Sequence, residues 1–124
     1  IINISSDYGI ISPNQNIYRK EGVAEEDQTI KPVSYSVVKH GIMGLTKYLA
    51  TYWGKKGVRV NTLCPASLQN GQDPEFIEKL SALVPMGRMS RPDEYPATVL
   101  YMLSDASSYM TGATVVLDGG RTIW

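Results

Sequence analysis

The chain has 124 residues with 12 basic and 12 acidic side chains, so its formal net charge is zero. That balance gives no electrostatic footing for nucleic acid or an anionic membrane, and no apolar run reaches the length of a membrane span. One cysteine, Cys64, excludes an internal disulfide, and no signal-peptide pattern opens the chain, which fits a cytoplasmic protein.

In chain order, Ile1–Ser5 reads as a short buried strand that breaks at serines and at Gly9. Residues 12–32 are polar and irregular, with Pro13, Gly22, Pro32 and the acidic run Glu25-Glu26-Asp27. They read either as a substrate lid or as a solvated surface loop. A helix is expected over Ser34–Trp53, with Val38, Ile42, Leu45 and Leu49 as its apolar stripe. Gly54 and Gly57, around two lysines, form its stop. Val58–Leu63 is rich in branched residues and reads as a second strand, ended by Pro65. Asp73 as cap and Pro74 at the first helical position start a short helix with Phe76, Ile77, Leu80 and Leu83 on its apolar side. Ser90 with Asp93 marks another start, leading into a helix that ends near Ser104 and turns Val99, Leu100 and Leu103 toward the sheet. Strand Ala113–Leu117 and the Asp118-Gly119-Gly120 turn close a length that suits one domain.

Tyr35 and Lys39 stand four residues apart in the long helix, so their side chains leave the same face one turn apart. A fixed ammonium beside a phenol favours the phenolate, which makes a proton donor and acceptor of a residue otherwise slow to ionise. Tyr52 and Lys56 repeat the spacing but straddle the helix stop, and read as an amphipathic tyrosine and a solvated lysine. His40 is the only histidine and reads as a helix-surface residue; alone it makes no metal site, and none is expected. Cys64, at a strand end with no activating partner in sequence, reads as a small buried residue. No glycine-rich strand–turn–helix motif of the dinucleotide-binding kind occurs, and Gly41 and Gly44 read as packing glycines of the Tyr35 helix.

Five blocks in order, "NISSDYG" at 3–9, "YSVVKHGIMGLTKYLA" at 35–50, "VRVNTLCP" at 58–65, "GRMSRPDE" at 87–94 and "LSDASSYMTGATVVLDGG" at 103–120, resemble the short-chain dehydrogenase/reductase family over nearly the whole chain. The resemblance implies an α/β fold, the C-terminal half of a doubly wound parallel-sheet (Rossmann-type) domain with about three strands and flanking helices. Family members are about twice as long, their first half carrying the pyrophosphate loop and the acidic residue for the ribose. Residues 1–124 are therefore expected to be an incomplete domain, truncated or proteolytic in origin and inactive alone, whose exposed sheet edge favours association.

The implied reaction is hydride transfer between NAD or NADP and a small carbonyl or secondary alcohol. Tyr35 would give or take the proton, Lys39 would also hold the nicotinamide ribose, and Ser6 would polarise the substrate oxygen. The family's serine stands three positions before the turn glycine, which selects Ser6 and leaves Ser5 structural. The family's fourth catalytic residue, an upstream asparagine, has no counterpart here. Pro65 and Leu68 match positions near the nicotinamide, and Asn70 stands where threonine is usual. Ala66 replaces the usual glycine and resists positive φ. The 12–32 segment is longer than its family counterpart. Together with "YLATYWGKKGVRVN" at 48–61, it is similar to reductases found beside surface-sugar and flagellin-glycan genes, which makes a sugar derivative a candidate substrate. A homo-oligomer, dimer or tetramer, formed through the Tyr35 helix and the last helix and strand, is also implied. The alternative is a non-catalytic remnant acting only through self-association.

Overall fold

The computed structural model describes residues 1–124. Its centre is β2 (Asn61–Pro65), flanked by β1 (Ile2–Ile4) and β3 (Thr114–Leu117) in a parallel sheet of order β1-β2-β3. Ile2 pairs with Asn61 and Ile4 with Leu63; on the other side Thr62 pairs with Thr114 and Pro65 with Leu117. With neighbours on both edges, β2 is buried over Asn61–Cys64, as a parallel strand covered on both faces requires. The sequence places strands at Ile1–Ser5, Val58–Leu63 and Ala113–Leu117. The first and last are trimmed, while the second moves toward Pro65: the regular ladder starts where Asn61 pairs with Ile2, and the carbonyls of Arg59 and Val60 make only end bonds, to Ile1 N and Gly112 N. Proline is accommodated as the last residue of β2, where the ladder ends.

Three helices flank the sheet, α1 (Val33–Trp53), α2 (Pro74–Ser81) and α3 (Pro96–Leu103), and α1 packs on β1 and β2. The long helix ends in one 3-10 turn, Gly54–Lys56, and Gly57 closes it at φ 76°. A left-handed cap of this kind favours glycine. The phase of α1 departs from the expected stripe. Val38 and Leu45 are exposed, whereas Thr46 and Ala50 are buried, with Lys39, Ile42, Met43, Leu49 and Trp53 half-buried beside them. Small and polar residues let the helix lie close to the sheet and bond to it. Asn3 Nδ2 donates to Thr46 Oγ1 at 2.9 Å, and Thr62 Oγ1 donates to the same atom at 2.7 Å. A hydrophobic count sees neither of these contacts, so it rotates the stripe by about one residue.

The start of α2 is as the sequence has it. Pro74 opens the helix, and Asp73 Oδ1 accepts from Glu75 N at 3.0 Å. Leu80, Phe76, Ile77 and Leu83 pack with Ile17, Tyr18 and Met89. The 12–32 segment is therefore ordered and docked on α2. Lys79 Nζ donates to Arg19 O at 2.7 Å, and Gln15 clamps the backbone of Lys31 with bonds of 2.9 and 3.1 Å.

Ser90 does not cap the third helix. Its Oγ bonds Tyr95 Oη at 2.5 Å, and a 3-10 turn at Pro92–Glu94 precedes α3. Met102 is the buried residue of α3, while Leu100 and Leu103 point outward. In the closing turn, Asp118 accepts from the backbone N–H of Gly120 and Thr122 at 2.9 and 2.8 Å. Gly119 and Gly120 there take φ of 62° and 88°.

Candidate active site at the carboxyl edge of the sheet

β1 delivers Ser5 to the carboxyl edge, where Ser5 N donates to Leu63 O at 2.8 Å. The chain then turns through a 3-10 segment, Asp7–Gly9, with Ser6 as its extended cap residue. That turn packs against α1 at Lys39. A Cβ on Gly9 would stand 2.8 Å from Lys39 O, tighter than side-chain carbons come to backbone. Glycine is thus required by a close approach, and Ser5 Oγ completes the joint by donating to Lys39 O at 2.7 Å. Ser5 is thus tied to the helix backbone, while the Ser6 hydroxyl turns to Asp7.

The helix presents Tyr35 and Lys39 on the face that meets this turn. Lys39 Nζ stands 5.5 Å from the Tyr35 ring centroid and donates to Ile4 O at 3.2 Å. The Tyr8 ring meets Tyr35 edge-on, with centroids 6.3 Å apart and an interplanar angle of 84°, and Tyr18 Oη donates to Tyr8 Oη at 3.1 Å. The 7–9 turn, which Ser6 caps, thus meets the end of α1 that carries Tyr35 and Lys39.

Lys31 adds a contact that sequence reasoning missed. Its Nζ lies 3.8 Å from the Tyr35 ring centroid, on the ring face. The available signal was its place four residues before Tyr35, hidden because Pro32 separates it from the helix. Asp7 and Arg121 also went unread. Both are buried, and both face a cavity of about 380 Å³ that extends between α2 and the Asp118–Gly120 turn. Burial pushes the Asp7 carboxyl up, against the pull of Ser6, the Tyr8 N–H and Arg121.

Pro65 ends β2 and Leu68 lies in the loop that leaves it, at the same edge of the sheet. Ala66 N donates to Leu117 O at 3.0 Å, and Leu68 bridges to Ser90. No residue other than glycine takes positive φ, so Ala66 sits in its loop without the strain anticipated for a lost glycine. Asn70 is exposed, its N–H held by Gln72 Oε1 at 2.7 Å. A Cβ on Gly41 or Gly44 would meet no atom of this chain outside their own helix, so neither packs against another element of the chain. Tyr52 is exposed and stacks on Tyr48. His40 Nδ1 bonds Ser36 O on the helix surface at 2.9 Å. Cys64 is buried, and burial pushes its thiol up, away from the reactive thiolate.

The chain holds no group of three or more His, Cys, Asp or Glu placed to bind a metal, and no helix is long and apolar enough to cross a membrane. The residues at the sheet edge do fit the nicotinamide end of a dinucleotide. Lys39 spends one of its three N–H donors on Ile4 O, which leaves two for a vicinal diol. The Leu68 N–H donates to no backbone carbonyl of the chain.

A parallel α/β sheet whose carboxyl edge gathers a serine turn, a tyrosine and a lysine belongs to the doubly wound, Rossmann-type class. A family model described as enoyl-(acyl carrier protein) reductase matches residues 1–122. Galactitol 2-dehydrogenase (L-tagatose-forming) from Cereibacter sphaeroides is 40% identical over 97 residues, covering 73% of this chain and 38% of that protein. D-threitol dehydrogenase from Mycolicibacterium smegmatis is 40% identical over 96 residues, 73% of this chain and 37% of that protein. The crystal structure of a short-chain dehydrogenase from Leptospira borgpetersenii with bound NAD+ superposes with a TM-score of 0.87 at 34% identity, covering 98% of this chain and 44% of that one. The chain belongs to the short-chain dehydrogenase/reductase family. It spans less than half the length of these relatives. Nothing among them favours a remnant acting only through self-association.

Proposed function

We propose that this chain is the catalytic half of an NAD(P)-dependent oxidoreductase acting on a carbonyl or secondary alcohol. The observation that carries the reading is the joint at Gly9, which holds the Ser6 turn against the helix face bearing Tyr35 and Lys39. NAD or NADP, when bound, supplies or accepts the hydride at the substrate carbon. Tyr35 is the proton donor to the carbonyl oxygen in reduction and takes the proton from the alcohol in oxidation. Lys39, fixed by Ile4 O, stands 5.5 Å from the Tyr35 ring centroid and would offer its remaining donors to the nicotinamide ribose. Ser6 holds the substrate oxygen and stabilises charge developing on it. Pro65 would shape the loop beside the nicotinamide, and the Leu68 backbone N–H would be available to its carboxamide.

A polyol or sugar derivative is the substrate class that fits best, given relatives named for galactitol and threitol. We place the enzyme in the cytoplasm, as a homo-oligomer. The test is a panel of polyols, ketoses and simple ketones with NAD and NADP, run on the full-length enzyme and its Lys39→Ala variant. Polyol or ketose turnover is expected, and Lys39→Ala should lose both rate and cofactor affinity. Activity only on small apolar ketones would overturn the substrate class, and unchanged cofactor affinity in Lys39→Ala would remove the ribose role.

A further inference from the structure

The cavity of about 380 Å³ between α2 and the Asp118–Gly120 turn falls in the size range of small-molecule sites, about 300–1,000 Å³. It borders the proposed chemistry on two sides: Asp7 directly follows Ser6, and Ala66 and Ser67 lie between Pro65 and Leu68. Most polar groups around it are already bonded within the chain. Arg88 pairs with Glu94, Ser90 Oγ bonds Tyr95 Oη, and Asp118 accepts from the backbone N–H of Gly120 and Thr122. Asp7 Oδ1 takes the Ser6 hydroxyl at 2.7 Å and the Tyr8 N–H at 2.9 Å.

Two polar atoms remain. Asp7 Oδ2 and Arg121 Nε are buried without a hydrogen-bond partner, and both residues line the cavity. Asp7 is 2% and Arg121 6% exposed, and no ion pair joins them to each other or to any other residue. Burying a polar atom unmet is costly, so the pair marks what the cavity is shaped to receive. A free anion there would meet the carboxylates of Asp7 and Asp118, and a free cation would meet the Arg121 guanidinium. A hydroxyl donates one hydrogen bond and accepts others without net charge. Neighbouring hydroxyls on one carbon chain therefore satisfy both atoms. Arg121 also lies toward the reacting centre. Burial pushes the Tyr8 phenol up and the Arg121 charge works against it, and the Tyr8 ring meets Tyr35 edge-on.

We propose that this cavity is the subsite for the substrate hydroxyls remote from the reacting carbon, with Asp7 Oδ2 accepting from one and Arg121 Nε donating to another. The two residues are then specificity determinants, favouring polyhydroxylated over simple alcohols. The inference rests on the reading of the substrate as a polyol or sugar derivative, and adds to it the residues that recognise the hydroxyls.

The experiment compares kcat/KM in the full-length enzyme for threitol, galactitol and butane-2,3-diol, which is threitol stripped of its terminal hydroxyls. Wild type, Arg121→Met and Asp7→Asn are each measured, beside their thermal unfolding. Wild type should prefer the better polyol over the diol by about a hundredfold, because each unmet buried group loses about tenfold. Each variant should narrow that preference by about tenfold, chiefly through KM for the polyol. A merely structural role would lower polyol and diol together, and a ratio unchanged from wild type in both variants would overturn the proposal. So would a wild-type enzyme that turns over the diol as well as either polyol, since the cavity would then hold only water. If Arg121→Met fails to fold, Arg121→Lys, which keeps the charge and lacks Nε, carries the same comparison. Turnover of simple apolar ketones alone would instead sink the polyol reading itself, a result separable from an unchanged ratio.

Discussion

A methyl group on Gly9 would press on Lys39 O from 2.8 Å and on Ser5 Oγ from closer still. Gly9→Ala therefore has to move the 7–9 turn away from α1, and with it Ser6 away from Tyr35. Overpacking of this kind costs about 1–3 kcal/mol. The expected outcome is a lowered unfolding midpoint together with a loss of turnover larger than the loss of stability explains, read by thermal melts and steady-state kinetics. Equal stability and turnover would show that the turn relaxes without disturbing the site. The turn at Gly9 and the shared helix face of Tyr35 and Lys39 were legible in the sequence, because a glycine breaks a strand locally and a four-residue spacing fixes a helix face. Lys31, Asp7 and Arg121 were not. Their contacts join segments whose approach depends on the folded sheet, and Arg121 lies at the far end of the chain from Asp7.

The elements best read from sequence are those with their own chemical punctuation. Asp73-Pro74 fixes the start of α2, and Gly57 and Gly119-Gly120 fix turns that need positive φ. The phase of α1 was not legible, because its sheet-facing stripe begins with Lys39 and runs through Thr46, residues that hydrophobicity assigns to solvent. The start of α3 was misplaced for a related reason: Ser90 bonds Tyr95 and Ser67 instead of capping a helix. What holds that approach is the two-point pair of Arg88 with Glu94, at 2.8 and 2.5 Å, reinforced by Arg91 N at 2.8 Å. Arg88 and the Arg91 N–H lower the Glu94 carboxyl from its ordinary 4.5 to about 2. Its folded value lies below the unfolded one, so its stabilisation is complete above about pH 4.5 and lost as pH falls toward 2. Denaturant unfolding across that window should show Glu94→Gln with a flatter acid limb than the wild type. Parallel limbs would mean the pair contributes nothing to folding.

At the scale of the whole molecule, α1 leaves a band of apolar side chains outside the domain. Val37, Leu45, Tyr48 and Tyr52 are each at least half exposed, with Gly41 and Gly44 between them leaving open space. We read this patch as an association surface, the usual role of contiguous exposed apolar area. Light scattering should find a species heavier than the 13.7 kDa chain, and the pair Tyr48→Asp and Tyr52→Asp should move it toward monomer. A monodisperse wild-type monomer would contradict the oligomer. The same helix carries Tyr35 on its inner side, so the proposed assembly and the proposed chemistry would share one element. The central claim is that chemistry, and its most direct measurement is single-turnover hydride transfer in full-length Tyr35→Phe beside cofactor titration. The account predicts a rate lowered by about a hundredfold or more with cofactor affinity kept, since the phenol ring and Lys39 both remain. A near-wild-type rate in Tyr35→Phe would contradict it.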